Sequence, residues 1–189
     1  MKIIQICGTN GVGKTTLVKG LLNSGNFLKL YQEVSGVSRE WWFDGKVAVV
    51  GRYNESNCCG VDAGKYHGNE LIKTIATIVR RENPETVLFE DVRYGGSFLF
   101  KKRLKEFADS AGYDYYILAL TASLECSCGR VLNRSGNMDA DYDAMRSKAR
   151  GVINSTKKAG NNGVKIAFCD TEKKNRIEVL DFLRCIINE

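Results

Sequence analysis

The sequence predicts an α/β fold: a five-stranded parallel sheet with helices on both faces and a helical lid. Three observations predict it. Short apolar runs alternate with longer amphipathic segments, turn residues bound the runs, and the first run ends in a glycine-rich stretch that opens a helix. At 189 residues the chain suits one domain with a well-buried core and is short for two.

Taken in order, strands are expected at Ile3 to Cys7, Val47 to Val50, Thr86 to Glu90, Tyr115 to Leu120 and Val164 to Cys169, where apolar residues run without interruption or nearly so. Helices are expected between them at Lys14 to Asn23, His67 to Arg81, Phe98 to Ala111, Ser123 to Asn133, Asp139 to Lys158 and Glu172 to Ile187. Pro84, the only proline, follows Asn83 and should separate the second long helix from the third strand, because it lacks an N–H and constrains the residue before it. The stretch 27–66 breaks the rhythm. It is rich in Gly, Ser, Asn and aromatics, and Trp41-Trp42-Phe43-Asp44-Gly45-Lys46 reads as a hairpin around Asp44-Gly45. An irregular segment between the first two strands lies where strand ends face a bound ligand, so 27–66 is the expected acceptor-binding insert. Trp41 and Trp42 read equally well as a small satellite core under a long loop.

Hydrophobic content of 43% and charged content of 26% are ordinary for a soluble globular chain, and no apolar stretch approaches the roughly 20 residues that span a bilayer. Lys2 is followed by only five uncharged residues before the glycine-rich stretch, which is no signal peptide, so a cytoplasmic protein without membrane contact is expected. Seven cysteines is an odd number. Two of them, Cys7 and Cys169, fall in expected strands, and their spacing fits no common disulfide framework, so they read as reduced thiols. Cys58, Cys59, His67, Cys126 and Cys128 match no standard zinc spacing either. A net charge of +6 favours a polyanion and argues against a module that binds basic partners.

Gly8-Thr9-Asn10-Gly11-Val12-Gly13-Lys14-Thr15 satisfies the pattern G-x-x-x-x-G-K-[ST] between an expected strand and an expected helix. This makes the predicted fold that of a P-loop NTPase. The glycines let backbone N–H groups converge on a phosphate, Lys14 can reach the outer phosphates, and Thr15 can offer its hydroxyl to magnesium. Gly8 to Thr15, with Thr16, are therefore the expected site of a nucleoside triphosphate, with ATP and Mg2+ as the pair implied.

The third strand ends in Glu90-Asp91, where carboxylates can serve the magnesium shell. Strand alternation sends the two to opposite sides. Glu90 is assigned to the acceptor as general base and Asp91 to magnesium, with the reverse assignment open. Arg93 and Tyr94 follow in a glycine-containing loop, where an arginine can meet a phosphate with two parallel hydrogen bonds. Arg130 and Arg134 lie four apart on one helical face before Ser135-Gly136-Asn137. Residues 130–150 are thus the expected lid, with Arg146, Lys148 and Arg150 either on its basic face or on a solvated helix. Asp170-Thr171-Glu172 is placed near the donor base by fold analogy.

Together the phosphate loop, the strand-end acids, Arg93-Tyr94 and the Arg130 and Arg134 pair resemble the thymidylate-kinase-like branch of phosphate-loop kinases. A closer resemblance is to small tailed-phage kinases that carry Val-Val-Gly-[His/Arg]-Tyr and then a Cys-Gly-Gly-x-Asp-like element. Here these read Val49-Val50-Gly51-Arg52-Tyr53 and Cys58-Cys59-Gly60-Val61-Asp62. Some phage members phosphorylate the hydroxymethyl group of 5-hydroxymethyluracil within DNA, a step towards hypermodified thymidine. The resemblance implies that role, in the host cytoplasm, with Arg52, Tyr53, Asp62 and Tyr94 against the acceptor. A hydroxyl acceptor must lose a proton, which gives Glu90 a task. A deoxynucleoside monophosphate kinase and a nucleotide switch that phosphorylates nothing are the alternatives, and a homodimer is compatible with any of the three.

Overall fold

The computed structural model describes residues 1–34, 36–53, 60–63, 68–91, 93–135 and 142–189, the side chains of 62, 63, 134 and 135 excepted. In chain order the elements are β1 (Lys2–Cys7), α1 (Lys14–Asn23), β2 (Leu28–Val34), β3 (Val37–Phe43), β4 (Val47–Val50), α2 (Gly60–Ala63), α3 (Gly68–Glu82), β5 (Thr86–Glu90), α4 (Phe98–Ser110), β6 (Asp114–Thr121), α5 (Leu124–Ser135), α6 (Tyr142–Gly160), β7 (Lys165–Asp170) and α7 (Arg176–Asn188).

The sheet has seven strands, not five, in the order β2-β3-β4-β5-β1-β6-β7. All five expected strands are present and run parallel as β4-β5-β1-β6-β7, while β2 and β3 extend one edge antiparallel. The hairpin at Asp44-Gly45 joins β3 to β4, and Asp44 Oδ1 accepts from the N–H groups of Lys46 and Val47. The reason β2 and β3 lie outside the expected set is their patterning. Charges interleave with apolar residues, and Leu28, Tyr31 and Val37 are exposed.

Two apolar layers sandwich the parallel strands. On one face Ile3, Val87, Phe89 and Ile117 pack against Ile75 and Ile78 of α3, Leu104 of α4 and Val152 of α6. On the other, Ile4, Ile6, Leu88 and Leu118 pack against Leu17 and Val18 of α1 and Val179 and Leu183 of α7. Helices therefore cover both faces, as an apolar parallel sheet requires. Asn83 ends α3 in the left-handed region (φ 46°), a conformation asparagine tolerates, and Pro84 prevents the helix from continuing. The last helix begins at Arg176, four residues later than expected, because Asn175 caps it. Asn175 Oδ1 accepts from the Ile177 and Glu178 N–H groups while Glu178 Oε2 accepts from the Asn175 N–H. The expected start of α6 at Asp139, and Gly136 and Asn137 of the expected break before it, lie outside the described residues.

Candidate active site

The apolar strand β1 delivers the chain to Gly8, and the loop that follows lies over the N-terminus of α1. Gly13 caps that helix with φ 91°. A helix N-terminus presents unpaired N–H groups and the positive end of its dipole, which suit an anion. Gly11 is required twice over: its φ is +81°, and a Cβ there would lie 2.2 Å from the Ser127 carbonyl oxygen of α5. Lys14 Nζ folds over the loop and donates to the carbonyls of Gly8 (3.0 Å) and Thr9 (2.8 Å).

Glu90 and Asp91 are both almost fully buried and turn to opposite sides of the strand end. Glu90 Oε1 accepts from Thr15 Oγ1 at 2.7 Å. Asp91 Oδ2 accepts from Gln5 Nε2 at 2.6 Å, and Gln5 Oε1 accepts in turn from the Tyr115 hydroxyl, so a buried polar chain runs under the sheet. Glu90 is also packed by the expected acceptor segment. A Cβ on Gly60 (φ +73°) would fall 2.5 Å from Glu90 Cγ, and one on Gly51 would fall 2.4 Å from the Gly60 carbonyl carbon. Arg52 and Gly60 exchange two backbone hydrogen bonds, of 3.2 and 2.7 Å. Gly60, paired with Arg52 and backed by Gly51, thus packs directly against the carboxylate.

A cavity of about 1170 Å³ extends from the glycine loop before α1 to the loop after β7. Its lining brings together Asn10 to Thr16, Glu90, Asp91, Arg93 and Arg130 from the expected set. Lys148 joins them from α6, with Thr171 and Glu172 from beyond β7. Six cationic side chains (Lys14, Arg93, Arg130, Lys148, Lys174 and Arg176) face three carboxylates (Glu90, Asp91 and Glu172), an excess that suits a polyphosphate. Arg130 spans the two walls: Nη1 donates to the Gly11 carbonyl (3.3 Å) and Thr171 Oγ1 (3.2 Å), and Nη2 to the Thr171 carbonyl (3.0 Å). The Ser123 backbone N–H donates to Glu172 at 2.8 Å and, with the Ser123 side chain, holds that carboxyl below its ordinary range.

Other expected residues lie elsewhere. Tyr53 is buried in the layer beside α1, with its hydroxyl 3.4 Å from the Val50 carbonyl. The Arg52 Nε meets Glu40 at 3.1 Å, and the Tyr94 ring stacks on Phe100 at 4.7 Å. None of these three lines the cavity. Asp62 lies in α2 and Arg134 in α5, and their side chains lie outside the described residues, as do Cys58, Cys59 and His67 altogether. Sequence reasoning pointed to Gly96 in the Arg93 loop but missed Leu17, Gly151, Val152, Lys174, Asn175, Arg176 and Val179 of the lining. The Asn175-to-Glu178 capping box was the one local signal that could have marked a helix start at the cavity rim.

A parallel sheet, a glycine loop feeding a helix N-terminus and acids at the adjoining strand end define an α/β fold similar to that of phosphate-loop kinases. No protein-family model matches the chain. It is 30% identical over 175 residues to a 5-hmdU DNA kinase of Delftia phage PhiW-14, a match that takes in 86% of this chain and spans 65% of that protein's length. This relative bears out the resemblance to phage DNA kinases read from the motifs. Among solved structures the fold is similar to a tunicamycin resistance protein of Deinococcus radiodurans (TM-score 0.56, 15% identity, 98% of this chain and 95% of that one). It is also similar to a gluconokinase of Sinorhizobium meliloti 1021 (TM-score 0.51, 13% identity, 95% and 87%).

Proposed function

We propose that the chain is an ATP-dependent kinase that phosphorylates the hydroxymethyl group of 5-hydroxymethyluracil in DNA. The observation that carries the kinase reading is the cavity, where a phosphate-type loop, two strand-end acids and a cationic excess face one another. The acceptor reading draws support from the phage relative. The packing of Gly60, from the expected acceptor segment, on Glu90 agrees with it.

In this reading Gly8 to Thr16 hold the donor triphosphate, and Lys14 and Arg93 stabilise charge on the transferring group. The Thr15 hydroxyl and the Glu90 carboxylate form a pair of hard oxygen donors at the phosphate end of the cavity, a set that fits magnesium. When bound, that ion neutralises charge on the phosphates. Glu90 is thereby drawn to Thr15, and Asp91 becomes the carboxylate that takes the acceptor proton, the reverse of the first assignment. Arg130, fixed between Gly11 and Thr171, belongs to the donor end. Arg52 and Asp62 remain acceptor-side candidates, because their segment adjoins Glu90.

Labelled ATP offered with hydroxymethyluracil-containing DNA, unmodified DNA and free nucleotides tests the proposal. Label confined to the modified DNA supports it. Label only on free monophosphates points to a deoxynucleoside monophosphate kinase, and steady ATP hydrolysis without any acceptor points to a switch.

A further inference from the structure

Lys101 sits on the inner side of α4 and is fully buried. Burying an ammonium is costly, and a methionine would pack in the same space without that cost, so helix packing alone gives no reason for the charge. Burial pulls its pKa below the ordinary lysine value, against the opposing influence of Cys7 and Asp91. Its Nζ donates to the Gly95 carbonyl and, at 2.7 Å, to Ser155 Oγ of α6. Ser155 Oγ lies 2.8 Å from the same Gly95 carbonyl and 3.0 Å from that of Val152, so its one proton serves one of them while it accepts from Lys101. Gly95 in turn packs on the buried acid: a Cβ there would lie 3.6 Å from Asp91 Oδ1 and 3.3 Å from Cys7 Cβ.

The ammonium therefore ties the loop after β5 to helix α6, and through Gly95 the clamp adjoins the Asp91 end of the polar chain. Both tied pieces reach the cavity. Arg93 and Gly96 line it from the loop and Gly151 and Val152 from α6, whereas Lys101 stands behind the wall and lines nothing.

We propose that Lys101 is a positioning residue for phosphoryl transfer: by clamping the Gly95 carbonyl to Ser155 it fixes the loop after β5 against α6 and holds Arg93 in the cavity. This rests on the reading of Arg93 above and is independent of which acceptor is used.

The test is a double-mutant cycle on the acceptor that the wild-type chain phosphorylates, using Lys101→Met, Arg93→Ala and the pair combined. Melting curves and binding of a non-hydrolysable ATP analogue report the folded fraction. Lys101→Met should lower kcat at least ~10-fold with the ATP KM within about twofold, and the combined variant should be no slower than Arg93→Ala alone. Additive losses, or an unchanged kcat in Lys101→Met, would overturn the proposal. If Lys101→Met does not fold, Ser155→Ala takes its place in the cycle, with a smaller loss expected and the same two outcomes against it. An Arg93→Ala variant with wild-type kcat would remove the reading of Arg93 itself, and this is distinguishable from additivity.

Discussion

Thr15 Oγ1 donates a 2.7 Å hydrogen bond to Glu90 Oε1, joining the last residue of the phosphate-loop pattern to the end of a strand that begins 71 positions later in the chain. The bond gives Glu90 a side: it shares the Thr15 edge of the cavity, while Asp91 turns to Gln5. Glu90→Gln should therefore raise the magnesium concentration needed for half-maximal transfer, and Asp91→Asn should lower kcat by about 10²-fold or more at saturating magnesium. Initial rates across a magnesium titration separate the two. Identical titration curves for Glu90→Gln and wild type would return Glu90 to the role of base.

Gly60→Ala should cost activity out of proportion to stability. The new Cβ meets left-handed strain at φ +73° and a contact of 2.5 Å with Glu90 Cγ. Gly112→Ala is the matched control, since its φ is +71° and a Cβ there meets nothing within 4 Å. The control should lose about 1 kcal/mol of stability and no activity. Gly60→Ala should lose roughly 1–3 kcal/mol more in urea denaturation, from overpacking, and at least ~10-fold in kcat as Glu90 is displaced. Equal kinetics in the two variants would show that Gly60 does not position the carboxylate.

Four of the five parallel strands, β1, β4, β5 and β6, were legible because both faces are buried over most of their length, and β7, with Phe168 exposed, because Ile166 to Cys169 form a continuous apolar run. β2 and β3 were not. They form the antiparallel edge, where Lys29, Glu33 and Glu40 interleave with apolar residues and Lys29 pairs with Glu40 across the strands. The Ser35-Gly36 dipeptide between them is a hairpin signal that went unused. The glycine loop that opens α1 was legible because its parts are contiguous in sequence. Gly60 against Glu90, Lys101 behind Gly95 and Arg176 at the cavity rim were hidden because each acquires meaning only through a contact made by folding. Tyr53 and Tyr94 show the converse: an aromatic beside a motif reads as a substrate contact, yet packing claims Tyr53 for the core and Tyr94 for the Phe100 ring.

Arg130→Met should act on donor binding more than on turnover. The guanidinium reaches Gly11 and Thr171, at the two walls of the donor end. Loss of one hydrogen bond to a charged group, near 1.5 kcal/mol, corresponds to about a tenfold rise in the ATP KM. A fall in kcat at unchanged KM would instead place Arg130 on the transferring group.

Cys7 sets a pH dependence that can be isolated. The thiol is fully buried beside Thr156, and burial pushes it up to about 11 from 9.0, with the charge of Lys101 pulling the other way. A folded-state value above the unfolded one means that the native thiol keeps its proton where the unfolded one has lost it. Its contribution to stability is complete below pH 9 and is lost as pH rises towards 11. At about 1.36 kcal/mol per unit, the loss should reach roughly 2 kcal/mol by pH 10.5. Burial also moves two neighbours, lowering Lys101 from its ordinary value and raising Tyr115 well above its own, so the raw curve does not identify the group. Cys7→Ala does: urea denaturation at pH 8 and pH 10.5 should show the wild type losing about 2 kcal/mol more than the variant over that interval. Parallel losses in the two proteins would mean that the thiol ionises as readily in the folded state as in the unfolded one, and that the strand end beside Asp91 is wetter than its packing indicates.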